Sequence, residues 1–216
     1  MGEPLQRWRT NALEDGAVRS ILVTGVQGVG KSTVVRAVGD VLGIESFNYA
    51  DLMLRVDPGS WDRDDVANWS WNRRVALYDA VASLLPDLFG PRSRDMNRLV
   101  LLENHLSVVH RGRIRTFSRD RIGQYAPVAL LVLEAEAATI ARRRRADTTR
   151  SRPGGLPAEI ESQQAVNRNE AMLVARRYGL PLAHVENESL TATVEEVVVW
   201  LRQVLGGVVR GEGEDR

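Results

Sequence analysis

The chain of 216 residues contains no cysteine. This absence excludes disulfide bonds, metal sites held by thiolates and catalysis by a cysteine nucleophile. The sequence also lacks an apolar run of the roughly 18 residues that a membrane-spanning helix needs. Its first residues lack the apolar stretch of a signal peptide. We therefore expect a cytoplasmic protein that has no membrane partner.

Neither sign of charge dominates the sequence. The 29 basic and 28 acidic residues leave a formal net charge of +1, so nucleic acid is not expected as a partner on charge alone. Hydrophobic residues make up 44% and charged residues 26%, which is ordinary for a globular protein. We expect one domain over residues 1–206 and a disordered tail over residues 207–216.

Lysine is nearly absent as well. Lys31 is the only lysine among the 29 basic residues, and all the others are arginines. It lies in GVQGVGKS, residues 25–32, which matches the pattern G-x-x-x-x-G-K-[ST] at every fixed position. An apolar run at 20–24 precedes this segment, and a segment with helical spacing of its valines follows it. This context predicts a phosphate-binding loop between a strand and a helix.

The residue types in this loop suit the binding of a triphosphate. Glycines let the backbone N–H groups turn inward around phosphate oxygens, and the helix that follows directs the positive end of its dipole at the anion. The slender ammonium of Lys31 fits between two phosphates where a planar guanidinium is too wide. The hydroxyl of Ser32 is placed to bind Mg²⁺. We predict that ATP contacts Gly25, Gln27, Gly28, Val29, Gly30, Lys31, Ser32 and Thr33.

A carboxylate at the end of a neighbouring strand is expected to complete the magnesium site. Two glutamates qualify, because Glu103 follows the apolar run RLVLL and Glu134 follows VALLVL. We predict Glu103, since the connection of its strand is expected to place it beside the phosphate loop. The sequence shows no Ser/His/Asp arrangement for nucleophilic catalysis and no other metal-ligand cluster.

Apolar runs that suit buried strands alternate along the chain with segments of helical periodicity. We predict strands at 20–24, 44–50, 98–105, 127–136 and 182–187, and helices at 31–42, 62–85, 137–145, 158–178 and 193–205. Such alternation is typical of an α/β fold in which helices cover both faces of a parallel sheet. The predicted fold class is therefore a P-loop three-layer α/β/α sandwich.

Six arginines lie in ARRRRADTTRSRPGGLP, residues 141–157, which passes from a helix end into a loop rich in glycine and proline. A charge run of this kind is often only a solvated face. Phosphoryl transfer, however, needs positive charge over the migrating group, and a closing loop supplies that charge while it excludes water. We therefore favour a lid at about 145–157 over a nucleic-acid patch or an inert face.

Taken in chain order, several segments resemble the archaeal-type adenylate kinase family of P-loop nucleoside-monophosphate kinases. They are VTGVQGVGKSTV, NYADLM, DRDD before a helix, LLENHLSVV, LLVLEAEAATIARRRRADTTRSR and the closing VEN, which together run from about residue 23 to 187. The phosphate loop is generic, whereas NYADLM together with DTTRSR is more specific. The resemblance implies a five-stranded parallel sheet, a short lid and a monophosphate-binding region at about 50–85.

The resemblance also implies roles for particular residues. Lys31 is expected to act catalytically together with the lid arginines Arg143, Arg150 and Arg152. The acceptor is expected to contact Asp51 and His105, and Arg55, Arg73 and Arg74 flank the same region. We include Arg55 among the predicted acceptor contacts. The implied cofactors are ATP and Mg²⁺, the implied partners are small nucleotides, and the family makes a homo-oligomer plausible.

The sequence departs from the family pattern in HRGRIRTFSRDRIGQYAP, residues 110–127. The family carries a segment similar to GYLPGLP here, which helps to shape the monophosphate side. The arginines at 111, 113, 115 and 119 instead offer positive charge for a different acceptor. Two functions therefore stay open: a kinase for AMP or a related monophosphate, and a nucleotide-switched ATPase or binding protein that acts on an RNA or protein partner.

Other nucleotide-dependent classes fit the sequence less well. A GTPase needs an N-K-x-D run for guanine, and no lysine follows Lys31. A large ring-forming ATPase is disfavoured because the chain is short and lacks an added helical domain. Trp61, Trp69 and Trp71 cluster near the predicted monophosphate region, and we interpret them as core or subunit-interface residues rather than as base-stacking platforms.

Overall fold

The computed structural model describes residues 19–59, 65–88, 99–148 and 155–211. The strands in these ranges are β1 (Arg19–Thr24), β2 (Glu45–Asn48), β3 (Leu99–Glu103), β4 (Ser107–His110), β5 (Arg113–Thr116), β6 (Pro127–Glu134) and β7 (Leu182–Glu186). The helices are α1 (Lys31–Leu42), α2 (Tyr49–Val56), α3 (Asp65–Asn68), α4 (Trp71–Leu88), α5 (Ala137–Ala146), α6 (Pro157–Tyr178) and α7 (Leu190–Gly211). A 3₁₀ helix covers Arg119–Tyr125.

Five strands form the central sheet in the order β2-β3-β1-β6-β7, and every neighbouring pair is parallel. The predicted α/β fold with a five-stranded parallel sheet is therefore confirmed. Because all five strands point the same way, their carboxyl ends share one edge of the sheet. At this edge, the connection from β1 leads toward one end of the sheet and the connection from β3 leads toward the other. Such a reversal leaves a crevice for a ligand between the two neighbouring strands.

Two hydrophobic cores pack against the two faces of the sheet. Successive residues of β1 alternate between them: Leu22 belongs to one core, while Ile21 and Val23 belong to the other. The first core also takes in residues of α2, α4 and α6, and the second takes in residues of α1, α5 and α7. This alternation follows from the period of two along a strand, and it produces the predicted three layers.

The structure differs from the predicted elements in several places. The strand predicted at 44–50 ends at Asn48, and the helix α2, which the sequence did not indicate, begins at Tyr49. The 3₁₀ helix Arg119–Tyr125 was not predicted either. The helix expected at 62–85 is broken at Trp69 and Ser70 into α3 and α4, and α4 continues to Leu88. The segment after β3 forms the antiparallel hairpin β4–β5, which the sequence did not indicate. The last helix, α7, extends to Gly211, so it occupies the first half of the tail predicted to be disordered.

Parts of three predictions lie outside the described residues. These are residues 1–18, 60–64 and 89–98 of the domain, of which 60–64 belong to the predicted monophosphate-binding region, residues 149–154 of the lid and residues 212–216 of the tail. Within the described part of the chain, no helix combines the length and the apolar character needed to cross a bilayer.

Candidate nucleotide-binding site

The phosphate loop joins the carboxyl end of β1 to the first turn of α1, as the sequence predicts. Gly30 precedes α1 with φ of 100°, a left-handed conformation that glycine adopts without a steric penalty. A Cβ atom at Gly30 would lie 2.4 Å from Nδ2 of Asn187, so the close contact also requires glycine. The loop therefore has the backbone path, and the helix the direction, that anion binding needs.

Lys31 is buried at the start of α1. Its ammonium donates hydrogen bonds to the carbonyl oxygens of Gly25 (2.8 Å) and Val26 (3.1 Å). These bonds hold the charge inside the loop, where phosphate oxygens would enter. The compact ammonium reaches two carbonyls only one residue apart, which explains in part why this position differs from the arginines elsewhere in the chain.

The structure separates the two candidate carboxylates. Oε1 of Glu103 accepts a hydrogen bond of 3.0 Å from the hydroxyl of Ser32. Glu134 instead accepts bonds from the guanidinium of Arg168, at 3.0 and 3.1 Å from Nε. Only the pair of Ser32 and Glu103 thus lies beside the phosphate loop, as the sequence predicts.

Two oxygen donors fit Mg²⁺, which prefers oxygen ligands and usually completes its shell with phosphate oxygens and water. No group of three or more acidic, histidine or cysteine side chains arranged to hold a metal occurs in the described ranges. The hydroxyl of Ser32 and the carboxylate of Glu103 thus fit a metal that takes its remaining ligands from phosphate and water.

The arginines at the end of α5 contact the outer side of the phosphate loop. Arg143 donates to the carbonyl of Val29 (3.1 Å) and to that of Asn187 (2.9 Å). Arg144 is buried and donates through Nε to the carbonyl of Gln27 (2.9 Å). The predicted lid residues Arg150 and Arg152 lie outside the described residues.

Sequence reasoning missed Arg144 and Asn187 as parts of this site. Asn187 is buried, and its side-chain amide donates to the carbonyl of Val29 at 2.7 Å. Its backbone N–H donates to the carbonyl of Glu134, which ties the end of β7 to the end of β6. The only signal in the sequence was the closing VEN segment, which was used for the resemblance and not as a site.

The predicted acceptor residues lie at the same edge of the sheet, on α2 and directly after β3. Asp51 and Arg55 are both exposed on α2, which begins where β2 ends. Nδ1 of His105 lies 3.2 Å from the carbonyl oxygen of Gly25, so His105 contacts the phosphate loop itself. The structure thus brings His105 to Lys31, since both side chains contact the same carbonyl.

Arg74, on α4, is buried, and no described carboxylate forms a hydrogen bond with its guanidinium. Its Nε donates to the carbonyl of Val66 at 2.8 Å, while Nη1 is buried and has no hydrogen-bond partner within the described part of the chain. Burial lowers the pKa of this guanidinium. A buried cation with an unsatisfied donor is costly unless an anion approaches it.

Aromatic side chains fill the space between α4 and the hairpin. Trp71 stacks on Phe117 with ring centroids 5.2 Å apart, and Phe117 stacks on Tyr78 at 4.2 Å. Trp69 is buried in the same core. The interpretation of Trp69 as a core residue is confirmed, and Trp71 is half-buried and packs against the same core. Trp61 lies outside the described residues.

A buried hydrogen-bond network joins the 3₁₀ helix to α2 and α4. The hydroxyl of Tyr125 donates to that of Tyr49 (3.2 Å), which donates to the carbonyl of Tyr78 (2.7 Å). Burial raises the pKa of Tyr49, of Tyr78 and of Tyr125, and a hydrogen bond with the Asn104 side chain partly opposes the increase in the pKa of Tyr125. Asn104 directly follows Glu103, so this network adjoins the predicted metal site.

The arginines of residues 110–127, the segment that departs from the family pattern, divide into two groups. Arg119 forms a two-bond ion pair with Glu170, at 2.8 and 2.9 Å, and this bond raises the pKa of the guanidinium. Arg111, Arg113 and Arg115 are exposed on the β4–β5 hairpin, and no ion pair joins them to a described carboxylate. Arg119 therefore has a structural partner, and the hairpin arginines face solvent.

A parallel sheet with this loop, Lys31 and the Ser32–Glu103 pair at its carboxyl edge defines a P-loop nucleotide-binding protein. The family model described as an AAA domain matches residues 24–161. Adenylate kinase of Thermoplasma volcanium is 30% identical over 172 residues, which cover 79% of this chain and 91% of that protein. Adenylate kinase of Thermoplasma acidophilum is 28% identical over 174 residues, with 79% and 90% covered.

The chain therefore belongs to this P-loop family and, within the P-loop kinases, to the family of the archaeal adenylate kinases. The solved shikimate kinase from Acinetobacter baumannii in complex with shikimate has a TM-score of 0.58 at 14% identity, with 89% of this chain and 96% of that chain covered. At this identity the similarity shows the P-loop kinase fold alone.

Proposed function

We propose that the chain is an ATP-dependent nucleoside-monophosphate kinase that transfers the γ-phosphoryl group of Mg-ATP to AMP or a related monophosphate. The observation that carries the proposal is the hydrogen bond between Ser32 and Glu103 beside a phosphate loop that holds Lys31. The archaeal relatives named adenylate kinase support AMP as the acceptor. Small nucleotides are then the partners, and the cytoplasm is the expected location.

In this reaction, an oxygen of the acceptor phosphate forms a bond to the γ-phosphorus while the bond to the β,γ-bridging oxygen breaks and ADP leaves. The protein has little covalent chemistry to perform, so its residues position the two nucleotides and stabilise charge. The backbone N–H groups of the phosphate loop and the N-terminus of α1 would hold the phosphates of ATP. The ammonium of Lys31 moves from the loop carbonyls to the β- and γ-phosphates.

Ser32 and Glu103 are the residues that would hold Mg²⁺, since their oxygens already lie 3.0 Å apart at the end of the loop. Held there, Mg²⁺ would supply positive charge that neutralises part of the charge on the triphosphate. The hydroxyl of Ser32 would then turn from Glu103 toward the ion, and the carboxylate would orient the ion or its water ligands.

On the acceptor side, the proposal gives the monophosphate contacts to Asp51, Arg55 and His105. Arg74 supports an anionic acceptor, because its buried guanidinium has a donor that no described residue accepts. An acceptor phosphate would satisfy that donor and balance the charge. Arg150 and Arg152 remain the proposed lid arginines, and Arg143, which donates to the loop carbonyl of Val29, is a further proposed catalytic arginine.

An acceptor screen tests the proposal. The purified protein is incubated with ATP and Mg²⁺ together with AMP, CMP, UMP, GMP or dTMP in turn, and nucleoside diphosphates are measured by anion-exchange chromatography. We expect diphosphate formation with AMP or with one other monophosphate. If ADP appears at the same rate with and without every acceptor, the protein hydrolyses ATP and the kinase proposal is wrong.

One observation favours a second candidate, a nucleotide-switched ATPase or binding protein that acts on an RNA or protein partner. The hairpin presents Arg111, Arg113 and Arg115 to solvent in the segment that departs from the family pattern. Exposed arginines of this kind suit an anionic partner. Partner-stimulated ATP hydrolysis without monophosphate phosphorylation would select this candidate.

A further inference from the structure

The carbonyl groups of the phosphate loop accept hydrogen bonds from residues that the loop motif does not include. When the N–H groups of a loop turn inward to an anion, its carbonyls turn outward, and buried carbonyls need donors. Here the donors come from outside the motif as well as from Lys31. Arg144 serves the carbonyl of Gln27, and Asn187 and Arg143 both serve that of Val29.

These donors differ in what happens to them when a nucleotide binds. Lys31 has to release the carbonyls of Gly25 and Val26 in order to reach the phosphates. Arg144 and Asn187 instead donate to the carbonyls of Gln27 and Val29, which the proposed reaction does not require them to release. Their bonds can therefore persist in the nucleotide complex and hold the loop while the ammonium moves.

Arg144 is anchored at both ends of its guanidinium. Nε contacts the carbonyl of Gln27, and Nη2 donates to Oε1 of Gln163 on α6 at 3.0 Å. Its Cγ lies 2.9 Å from the position that a Cβ atom would occupy at Gly28. The buried arginine thus fixes the tip of the loop against α5 and α6, and a planar fork is needed to bridge the two acceptors.

Asn187 fixes the other end of the loop. Its amide lies against Gly30, and its own backbone is held by the carbonyl of Glu134 and by Arg143. The position of the amide is therefore set by the ends of β6 and β7, which are part of the rigid sheet. The loop is held on one side by α5 and on the other by the sheet edge.

We propose that Arg144 and Asn187 are positioning residues for nucleotide binding, which act by holding the carbonyls of Gln27 and Val29 outward so that the N–H groups of the loop stay directed at the phosphates. The inference rests on the proposed function only in that the loop binds ATP, and it is independent of the acceptor. It gives Arg144 a role in shaping the loop, separate from charge over the transferred group.

Titration calorimetry with ADP and with ATP, without an acceptor, tests the inference. We expect Arg144→Gln and Arg144→Lys to weaken both nucleotides about tenfold, since a hydrogen bond from a charged group is lost and lysine cannot bridge Gln27 and Gln163. Gln163→Leu releases the guanidinium without touching the loop and is expected to weaken binding about threefold. Arg142→Gln is the matched control, because Arg142 is exposed and bonds to Thr139 of its own helix.

Several outcomes would overturn the inference. Full affinity in Arg144→Lys would mean that only the charge matters, and unchanged affinity with a reduced kcat in Arg144→Gln would make Arg144 a catalytic residue. If Arg144→Gln does not fold, Gln163→Leu decides, and unchanged affinity in it counts against the inference. Thermal unfolding without nucleotide identifies a general loss of stability. If the wild-type protein binds nucleotides but phosphorylates no acceptor, the proposed function fails while this inference stands.

Discussion

At the scale of single residues, the contacts of Lys31 explain why a chain rich in arginine has a lysine at this position. A chain that is arginine at every other basic position has one lysine, and that lysine is buried between two carbonyls of the phosphate loop. The space there accepts a compact ammonium with three donors. A guanidinium is wider and planar, and it would have to displace the loop backbone.

We therefore expect Lys31→Arg to reduce phosphoryl transfer by about 10²–10³-fold, the size of effect seen when one transition-state donor is removed. Circular dichroism and thermal unfolding should show a folded protein, since the loop lies at one edge of the sheet. Arg36→Lys is the matched control, because Arg36 is an exposed residue of the same helix. Near-normal activity in Lys31→Arg would contradict the role of the ammonium.

Arg74 is a buried cation as well, but burying its guanidinium costs free energy that its contacts in the described structure do not fully offset. Replacement by the similarly long, neutral methionine removes the unsatisfied donor, so we expect Arg74→Met to leave the free energy of unfolding unchanged or to raise it by about 1 kcal/mol. The KM for the monophosphate should rise about tenfold, as a charge-assisted hydrogen bond is lost, while the KM for ATP stays constant.

Denaturant unfolding and initial-rate kinetics measure the two effects separately. Arg73→Met serves as the control, since Arg73 is exposed on the same helix and lies over the ring of Trp69. A large loss of stability in Arg74→Met, without a change in acceptor KM, would show that Arg74 acts only in the fold.

At the scale of elements, the sequence predicted what depends on local pattern. The phosphate loop, the five strands of the sheet and α6 each have a continuous signature of apolar spacing and glycine, and the structure contains them. The β4–β5 hairpin was not predicted from the sequence, because its strands have four residues each and β5 carries two arginines in RIRT. Such a short strand gains its stability from the packing of Phe117 and its neighbours, which no local pattern reveals.

The candidate site divides in the same way. Ser32 belongs to a motif, and Glu103 ends an apolar strand, so both could be predicted. Arg144 and Asn187 contact the loop across 117 and 158 positions of the chain, respectively, and only the fold brings them there. Residues that act through other residues lack a motif of their own, and sequence reasoning therefore finds them last.

Ion pairs attach the 3₁₀ helix after the hairpin to its neighbouring helices. Arg119 pairs with Glu170 on α6, and Arg121 pairs with Asp79 on α4. We expect Glu170→Gln to lower the free energy of unfolding by about 1 kcal/mol, because Arg119 is partly exposed and solvent screens the pair. The affinity for ATP should not change, since no hydrogen bond between described residues joins the side chain of Arg119 or Glu170 to the phosphate loop.

Denaturant unfolding at low and high salt measures the effect, which should shrink as the salt concentration rises. Glu161→Gln, an exposed change on the same helix, is the control. A change in ATP affinity in Glu170→Gln would contradict the separation of the two sides of the site.

At the scale of the whole molecule, the titratable residue types that the chain lacks or has few of determine how its stability depends on pH. The chain has no cysteine, one lysine and four tyrosines, and arginines stay charged above pH 12. Between about pH 9 and 11, the tyrosines are therefore nearly the only side chains that titrate. Three of them, Tyr49, Tyr78 and Tyr125, are buried together between α2, α4 and the 3₁₀ helix.

Burial raises the pKa of each of these three tyrosines, so the folded protein keeps their protons when the unfolded chain begins to lose them. Their contribution to stability is complete below the unfolded pKa of about 10 and is lost as the pH rises above it. Above that pH, each tyrosine lowers the free energy of unfolding by up to about 1.4 kcal/mol per pH unit.

Denaturant unfolding from pH 8 to 11 should show a plateau followed by a steep decrease. Tyr125→Phe should lower the stability of the plateau, because its hydroxyl bonds to Tyr49, and should also make the decrease shallower. A decrease of equal slope in Tyr125→Phe would mean that groups other than the buried tyrosines govern alkaline unfolding.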